Sequence, residues 1–258
     1  SENDWANAGR FVDSVLKHDS ENQDLLKRAM ILAMGAGDLN LATRHAEDLL
    51  KQDESNSLAW LIKTVSLLAD NDSLGASAAL AKMPEGDITD FVRPVIKGWT
   101  EAAQGRLMTD GFNMTTIHSY SGALMALHLG KNVEAASFIQ RMLDVGNLSA
   151  YDSERAGNLS AAAGDGAKAL ELYKNAYLQD KKSKQLEKKI ALLTDKKETP
   201  AALNEVLRVK TPAQGVAVAL NDLARILFQE YSDGSARIFS QLLRLDHSSL
   251  SDQKGRQE

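Results

Sequence analysis

Histidine is the side chain most used for metal binding and proton transfer, and the chain has five: His18, His45, His118, His128 and His247. None of them stands in His-Glu-x-x-His or in another metal-ligand spacing. There is no Cys, which excludes disulfides, thiolate zinc sites and cysteine nucleophiles. The chain also lacks a Gly-x-x-x-x-Gly-Lys-Ser/Thr loop, a Gly-x-Gly-x-x-Gly fingerprint and a Gly-x-Ser-x-Gly elbow. We therefore predict no catalytic residue, no metal and no cofactor, in a protein that is not an enzyme.

The net charge of the chain does not indicate nucleic-acid binding. The 258 residues carry 30 Lys and Arg against 35 Asp and Glu, a formal net charge of −5. No apolar stretch approaches the roughly 20 residues that span a bilayer, so we predict no membrane insertion. One local excess of lysine is interpreted as a solvated helix, with an acidic protein or an anionic membrane surface as the alternative partner. It consists of Lys181, Lys182, Lys184, Lys188, Lys189, Lys196 and Lys197.

A small residue recurs along most of the chain at steps of 33 or 34, with one break of 25. The series is Ala8, Ala42, Ala76, Asp110, Ala135, Ala169, Ala202 and Ala236. Apolar residues four and seven positions beyond most members place each of them at the start of a short amphipathic helix. A second helical stretch lies about twelve residues upstream of several members, as in Leu26–Met34, Trp60–Leu68, Tyr120–Leu127 and Leu220–Phe228. Two helices per period predict an all-α fold of stacked helix pairs.

The turns inside the pairs are predicted from residues that end one helix and begin the next: Gly37-Asp38, Asn71-Asp72, Gly130-Lys131-Asn132 and Gly164-Asp165-Gly166. The unit around Asp110 is irregular. We expect Pro94 in the first turn of its first helix and a shortened helix or loop over Met108–Thr116. Pro200 should begin a second helix, and Pro212 should precede a long final helix pair.

This pattern resembles the tetratricopeptide repeat family, whose unit carries Gly or Ala at position 8, Ala at 20, Phe or Tyr at 24 and Ala at 27. The unit 150–183 matches best, with Gly157, Gly164, Ala169, Tyr173 and Ala176 at positions 8, 15, 20, 24 and 27. The resemblance implies a right-handed α-solenoid of stacked antiparallel helix pairs, TPR-like. The stretch 91–105 is also similar to tetratricopeptide proteins of alphaproteobacteria, many of them exported. It favours the bacterial periplasm or envelope, with the cytoplasm left open.

We predict a single solenoid domain over 1–258. Its approximate units are a half repeat 1–22, then 23–56, 57–90, an irregular 91–115, 116–149, 150–182, 183–216, 217–250 and a frayed tail 251–258. Open solenoid ends expose apolar surface. We therefore expect either a second copy covering them or a chain cut from a longer protein, and we favour the latter.

In the tetratricopeptide family, positions 2, 5, 9 and 12 of each unit face a concave groove. The resemblance then gives these candidate partner-binding residues: Lys27, Trp99, Tyr120, Tyr151, Asn158, Asn221, Arg225 and Phe228. The two asparagines would bond a peptide main chain, Arg225 a carboxylate, and the aromatic rings would anchor the ligand. The family's chaperone carboxylate clamp has Lys at 5, which Lys27 matches, but Ile31 and Ile62 replace its asparagines.

We accordingly predict a non-enzymatic scaffold that binds a peptide or partner protein in its groove. One alternative is a structural assembly component that forms homo-oligomers through its solenoid ends. Another is the recruiting domain of a longer protein. The sequence does not identify the partner.

Overall fold

In a computed structural model of the full chain, which describes residues 2–113, 115–195 and 209–230, all regular secondary structure is helical. The prediction of an all-α fold is confirmed. The twelve helices of these ranges are α1 (Glu2–Leu16), α2 (Gln23–Gly35), α3 (Leu39–Leu50), α4 (Ser57–Ala69), α5 (Ser73–Lys82), α6 (Asp87–Ala102), α7 (Thr116–His128), α8 (Asn132–Asp144), α9 (Ala150–Ala162), α10 (Gly166–Gln179), α11 (Lys184–Asp195) and α12 (Pro212–Glu230).

One turn is used four times to join the helices of a pair, between α2 and α3, α4 and α5, α7 and α8, and α9 and α10. Each turn contains a residue with positive φ, namely Gly37 (80°), Asn71 (62°), Gly130 (69°) and Gly164 (93°). The next residue donates its N–H to a carbonyl five positions back, as Asp165 does to Ser160 at 2.8 Å. This is the pattern that ends a helix at a left-handed residue.

The same residue then begins the second helix of the pair. The carboxylates of Asp38, Asp72 and Asp165 accept the N–H three positions ahead, at 2.8, 2.8 and 2.9 Å. Such an N-cap stabilises a helix by about 1 kcal/mol. With only three residues between them in each case, the two helices must run in opposite directions. The predicted turns are confirmed.

The recurring alanine has the same place in each second helix. Ala42, Ala76, Ala135 and Ala169 are each the fourth residue of α3, α5, α8 and α10, and each is completely buried. A small side chain at a completely buried position of each pair lets the two helices pack closely, which accounts for the recurrence of alanine there. Ala202 and Ala236 lie outside the described residues, as does the helix expected at Pro200.

The chain divides into two compact units. Unit 1 comprises Ser1–Gln104 and Pro212–Glu258, and unit 2 comprises Gly105–Thr211. In unit 1, α1 to α6 pack in chain order, and α12 returns to pack against α4 and α6. In unit 2, α7 pairs with α8 and α9 with α10, while α11 packs on α10. The predicted single solenoid over 1–258 and its right-handed superhelix stay predictions.

Two glycines let the helices of unit 2 approach closely. A Cβ on Gly122 would lie 2.4 Å from the ring of Phe138, and one on Gly157 would lie 2.6 Å from the ring of Tyr173. In both pairs the aromatic residue comes 16 positions after the glycine. The ring of each second helix therefore packs directly on the backbone of the first helix.

The irregular stretch agrees with expectation in one respect and differs in another. No helix forms between α6 and α7 in the described residues 103–113 and 115, as predicted. However, α6 begins at Asp87, so Pro94 lies inside the helix and not in its first turn. The apolar contacts of Val92, Val95 and Ile96, all buried, hold the helix together despite the hydrogen bond that Pro94 cannot donate.

Candidate functional site

A buried lysine on α11 connects this helix to α9, the first helix of the pair α9 and α10 in unit 2. Lys189 on α11 is only 5% exposed. Its ammonium group donates to Glu154 Oε1 at 2.5 Å and to Asn158 Oδ1 at 2.9 Å, both on α9. It also lies 5.2 Å from the ring centroid of Tyr173. We call Glu154, Asn158, Tyr173 and Lys189 the Lys189 network.

The phenol of Tyr173 completes this network from α10. The side chain is fully buried, and its hydroxyl donates to Asn158 Oδ1 at 2.8 Å. Burial, and then the negative charge of Glu154, raise the pKa of Tyr173 well above its usual range. The group therefore stays protonated at neutral pH and keeps donating its hydrogen bond.

These contacts fix the orientation of the Asn158 amide. Lys189 can only donate, so the atom facing it must be the amide oxygen, and that oxygen already accepts from two donors. The NH₂ group finds no acceptor among the described residues and is not enclosed. Asn158 is 7% exposed as a whole. The amide therefore cannot turn over, and its two N–H donors are left without an acceptor among the described residues.

An arginine connects the preceding pair of first helices in the same way. Arg155 on α9 is 7% exposed. Its guanidinium carbon lies 3.4 Å from the ring centroid of Tyr120 on α7 and 5.1 Å from that of Tyr151. This is a cation–π arrangement, which is strengthened where water is excluded. The Tyr151 side chain is 42% exposed and so offers a ring to solvent beside the cation.

The two connections are the same contact one repeat apart. Tyr120 meets Arg155, and Glu154 meets Lys189, with 35 residues between the partners in both cases. Arg155 and Lys189 are themselves separated by the 34-residue period of the sequence. The side-chain contact between α7 and α9 therefore recurs, at the same repeat positions, between α9 and α11.

Three of the eight sequence-predicted residues come together in this part of unit 2, namely Tyr120, Tyr151 and Asn158. Their surroundings modify the roles expected of them. Tyr120 is only 8% exposed, so it supports Arg155 and has little ring left for a ligand. Asn158 can offer donors only, because its oxygen is occupied.

The other five belong to unit 1. Trp99 is completely buried and packs where Gly215 of α12 leaves room, so its indole belongs to the core and is not an accessible anchor. Lys27 on α2 approaches Asp53 at 3.7 Å. On α12, Asn221 is exposed and Arg225 partly buried. The Phe228 side chain lies outside the described residues.

Sequence reasoning missed Arg155 and Lys189. The solvated-helix interpretation fits Lys184 and Lys188, which are exposed on α11, but it is wrong for Lys189; Lys181 and Lys182 are exposed in the turn before the helix. A signal was present: Lys189 stands three residues after Leu186 and four before Leu193, on the face of α11 that those two leucines bury. Lys196 and Lys197 lie outside the described residues.

No protein-family model matches the chain, and no curated protein matches it either. None of the helices in the described part of the chain combines the length and the apolar character needed to cross a bilayer. In the same ranges, no three His, Asp or Glu side chains are grouped as metal ligands would be.

Proposed function

We propose that the chain is a non-enzymatic interaction scaffold that binds a peptide or partner protein along the first helices α7, α9 and α11 of unit 2. The observation that carries this proposal is the fixed Asn158 amide, whose oxygen is held by Tyr173 and Lys189 and whose two N–H donors have no acceptor among the described residues. A buried network that orients one unused donor group is typical of a recognition site.

The tetratricopeptide resemblance remains part of the proposal. The contacts of Gly122 with Phe138 and of Gly157 with Tyr173 support it, because they join residues 16 apart, as positions 8 and 24 of that repeat are. In such a scaffold the first helices line the concave groove, and α7, α9 and α11 are the first helices here.

In this scheme Asn158 donates to main-chain carbonyl groups of an extended ligand. The amide is already oriented, so little side-chain entropy is lost on binding. The exposed face of Tyr151 offers an apolar contact on the same helix, with Arg155 behind it. Aromatic residues and arginine are the side chains most enriched at binding hot spots.

The test begins by capturing partners from lysate of the source organism and then measures the dissociation constant of each purified partner. Asn158→Ala should weaken a groove ligand about two- to tenfold, the equivalent of one lost hydrogen bond. Asn221→Ala on α12 is the comparison variant and should leave that constant unchanged. A partner bound equally by wild type and Asn158→Ala, with helicity unaltered, contradicts the proposed site.

A second candidate function is self-association. One exposed apolar side chain is ordinary on a protein surface, but Phe11, which is 72% exposed, lies on α1, the first helix in the chain-order packing of unit 1, where a second copy of the chain could pack. Sedimentation velocity over a hundredfold range of concentration, with wild type beside Phe11→Ser, separates the two cases. Oligomers that form in the wild type and not in the variant would favour assembly, whereas monomers throughout would exclude it.

A further inference from the structure

Unit 2 contains a pocket of about 520 Å³ that belongs to neither the Lys189 network nor the Arg155 contacts. It lies between the loop that joins α8 to α9, the first turn of α9 and the last turns of α10. Its polar lining consists of Asn147, Ser153, Asn175 and Gln179, and its apolar lining includes three leucines. Its volume is within the range of ligand-binding pockets in proteins.

The pocket opens on a different side of α9 from the proposed groove. Ser153 and Asn158 are five residues apart, which separates them by about 140° around the helix axis. The two surfaces can therefore be altered independently of each other.

The polar groups of the lining are largely uncommitted. The Ser153 hydroxyl makes no hydrogen bond to the described residues, and although the residue is 3% exposed as a whole, this oxygen is not enclosed. Ser160, on the same helix, instead donates to Ala156 O at 2.9 Å. Asn147 and Asn175 likewise have no partner there, and Gln179 uses only its Nε2, which donates to Leu148 O at 3.1 Å. Because Asn147, Asn175 and Gln179 are exposed, a ligand in the pocket would replace water on these groups.

The lining carries no charged side chain. An ion that entered would lose water without meeting a counter-charge. Primary amides and a hydroxyl both donate and accept, which matches the alternating N–H and C=O groups of a peptide main chain. Large apolar side chains adjoin the lining in the sequence: Val145 precedes Gly146 and is 50% exposed, and Leu178 precedes Gln179 and is 68% exposed.

We propose that this pocket binds a short uncharged peptide segment. The main-chain amides of the segment pair with Ser153, Asn147, Asn175 and Gln179, and an apolar side chain contacts the leucines. The site is separate from the groove of the proposed function and does not depend on it.

The test is a titration of the ¹⁵N-labelled full chain with N-acetyl-Ala-Leu-Ala-amide, followed through the backbone amides of Gly146 and Asn147 and the side-chain amide of Asn175. We expect saturable shifts. N-acetyl-Ala-Asp-Ala-amide, the charged counterpart, should bind at least about fivefold more weakly because its carboxylate would be desolvated. Absence of saturation up to about 20 mM neutral peptide, an affinity too weak for a built site, would overturn the proposal, as would equal binding of the two peptides.

Variants locate the site. Asn175→Asp keeps the shape of an exposed side chain but introduces a charge and removes two donors, so the neutral peptide should bind about fivefold or more weakly. Lys174→Ala, the exposed neighbour that does not line the pocket, is the matched control and should bind as the wild type does. Asn158→Ala should also leave this titration unchanged, so failure of the groove proposal and failure of this one give different results. Equal affinity of Asn175→Asp and wild type would contradict the proposed pocket.

Discussion

Replacing Lys189 by methionine should destabilise unit 2 by about 2 kcal/mol. Methionine retains most of the buried stem, so the loss is mainly electrostatic. Removing one partner of a fully buried ion pair costs about 3–5 kcal/mol because the other charge is left unpaired. The Glu154 side chain is 25% exposed, and water can hydrate part of its carboxylate. We therefore expect a value below that range, whereas a surface lysine would contribute about 0–1 kcal/mol.

The tryptophans provide an assay that separates the two units. All three of them, Trp5, Trp60 and Trp99, belong to unit 1. In urea unfolding, tryptophan fluorescence reports unit 1, and far-UV circular dichroism reports both units. Lys189→Met should shift the dichroism transition and leave the fluorescence transition in place if the units unfold separately.

Lys188→Met is the matched control, because Lys188 is the preceding residue of α11 and is exposed. It should stay within about 0.5 kcal/mol of wild type. The double variant Glu154→Gln/Lys189→Met should be more stable than the sum of the two single changes predicts, by at least about 1 kcal/mol. An effect of Lys189→Met no larger than that of Lys188→Met would refute the assignment of Lys189 to a buried network.

Three further predictions concern packing and protonation. Tyr173→Phe should cost about 1 kcal/mol through its lost hydrogen bond. The pKa of Tyr173 is raised in the folded protein, so the free energy of unfolding of the wild type should fall as the pH rises above about 10, where the tyrosine of the unfolded chain releases its proton. Urea unfolding at pH 9 and 11 should show a smaller fall in this free energy for Tyr173→Phe. Gly157→Ala should lower the free energy of unfolding by about 1–2 kcal/mol, because overpacking against the buried ring of Tyr173 exceeds the gain in helix propensity. Gly9→Ala on α1 is the control: a Cβ there would lie 4.0 Å from the nearest atom, so urea unfolding should show an unchanged or raised stability. Arg93→Met should destabilise unit 1 by about 1–3 kcal/mol, because Arg93 donates to three carbonyls at the end of α5 and just beyond it. Urea unfolding followed by tryptophan fluorescence measures this change, and the exposed control Lys97→Met should show none.

The helix pairs were predictable because their determinants are local. A positive-φ residue followed by an N-cap is set within five residues, and the buried alanine follows four positions later, as at Gly164, Asp165 and Ala169. The return of α12 to α4 and α6 has no such determinant. It depends on complementarity between surfaces more than 100 residues apart in the sequence, for which a periodicity contains no information.

The candidate site was predictable only in part, for a related reason. The tetratricopeptide resemblance pointed to Asn158 and Tyr151 as candidates but not to what surrounds them. It also assigned Trp99 to the groove, yet Trp99 is buried, because Gly215 of α12 accommodates its ring. A residue's accessibility depends on every element packed on it, including those that the repeat pattern does not order.

The spacing of Arg155 and Lys189 shows what a periodic sequence does determine about this site. If only leucines packed between two helices, one helix could shift along the other at little cost in energy, because neighbouring ridges of side chains are alike. A cation at the same repeat position in α9 and α11 meets a group 35 residues earlier, an aromatic ring in one case and a carboxylate in the other. Both contacts are directional and short, and both lose their partner if the helix moves by one turn. The cation therefore fixes the register of α9 on α7 and of α11 on α9, and in this register Tyr173 and Lys189 hold the oxygen of the Asn158 amide.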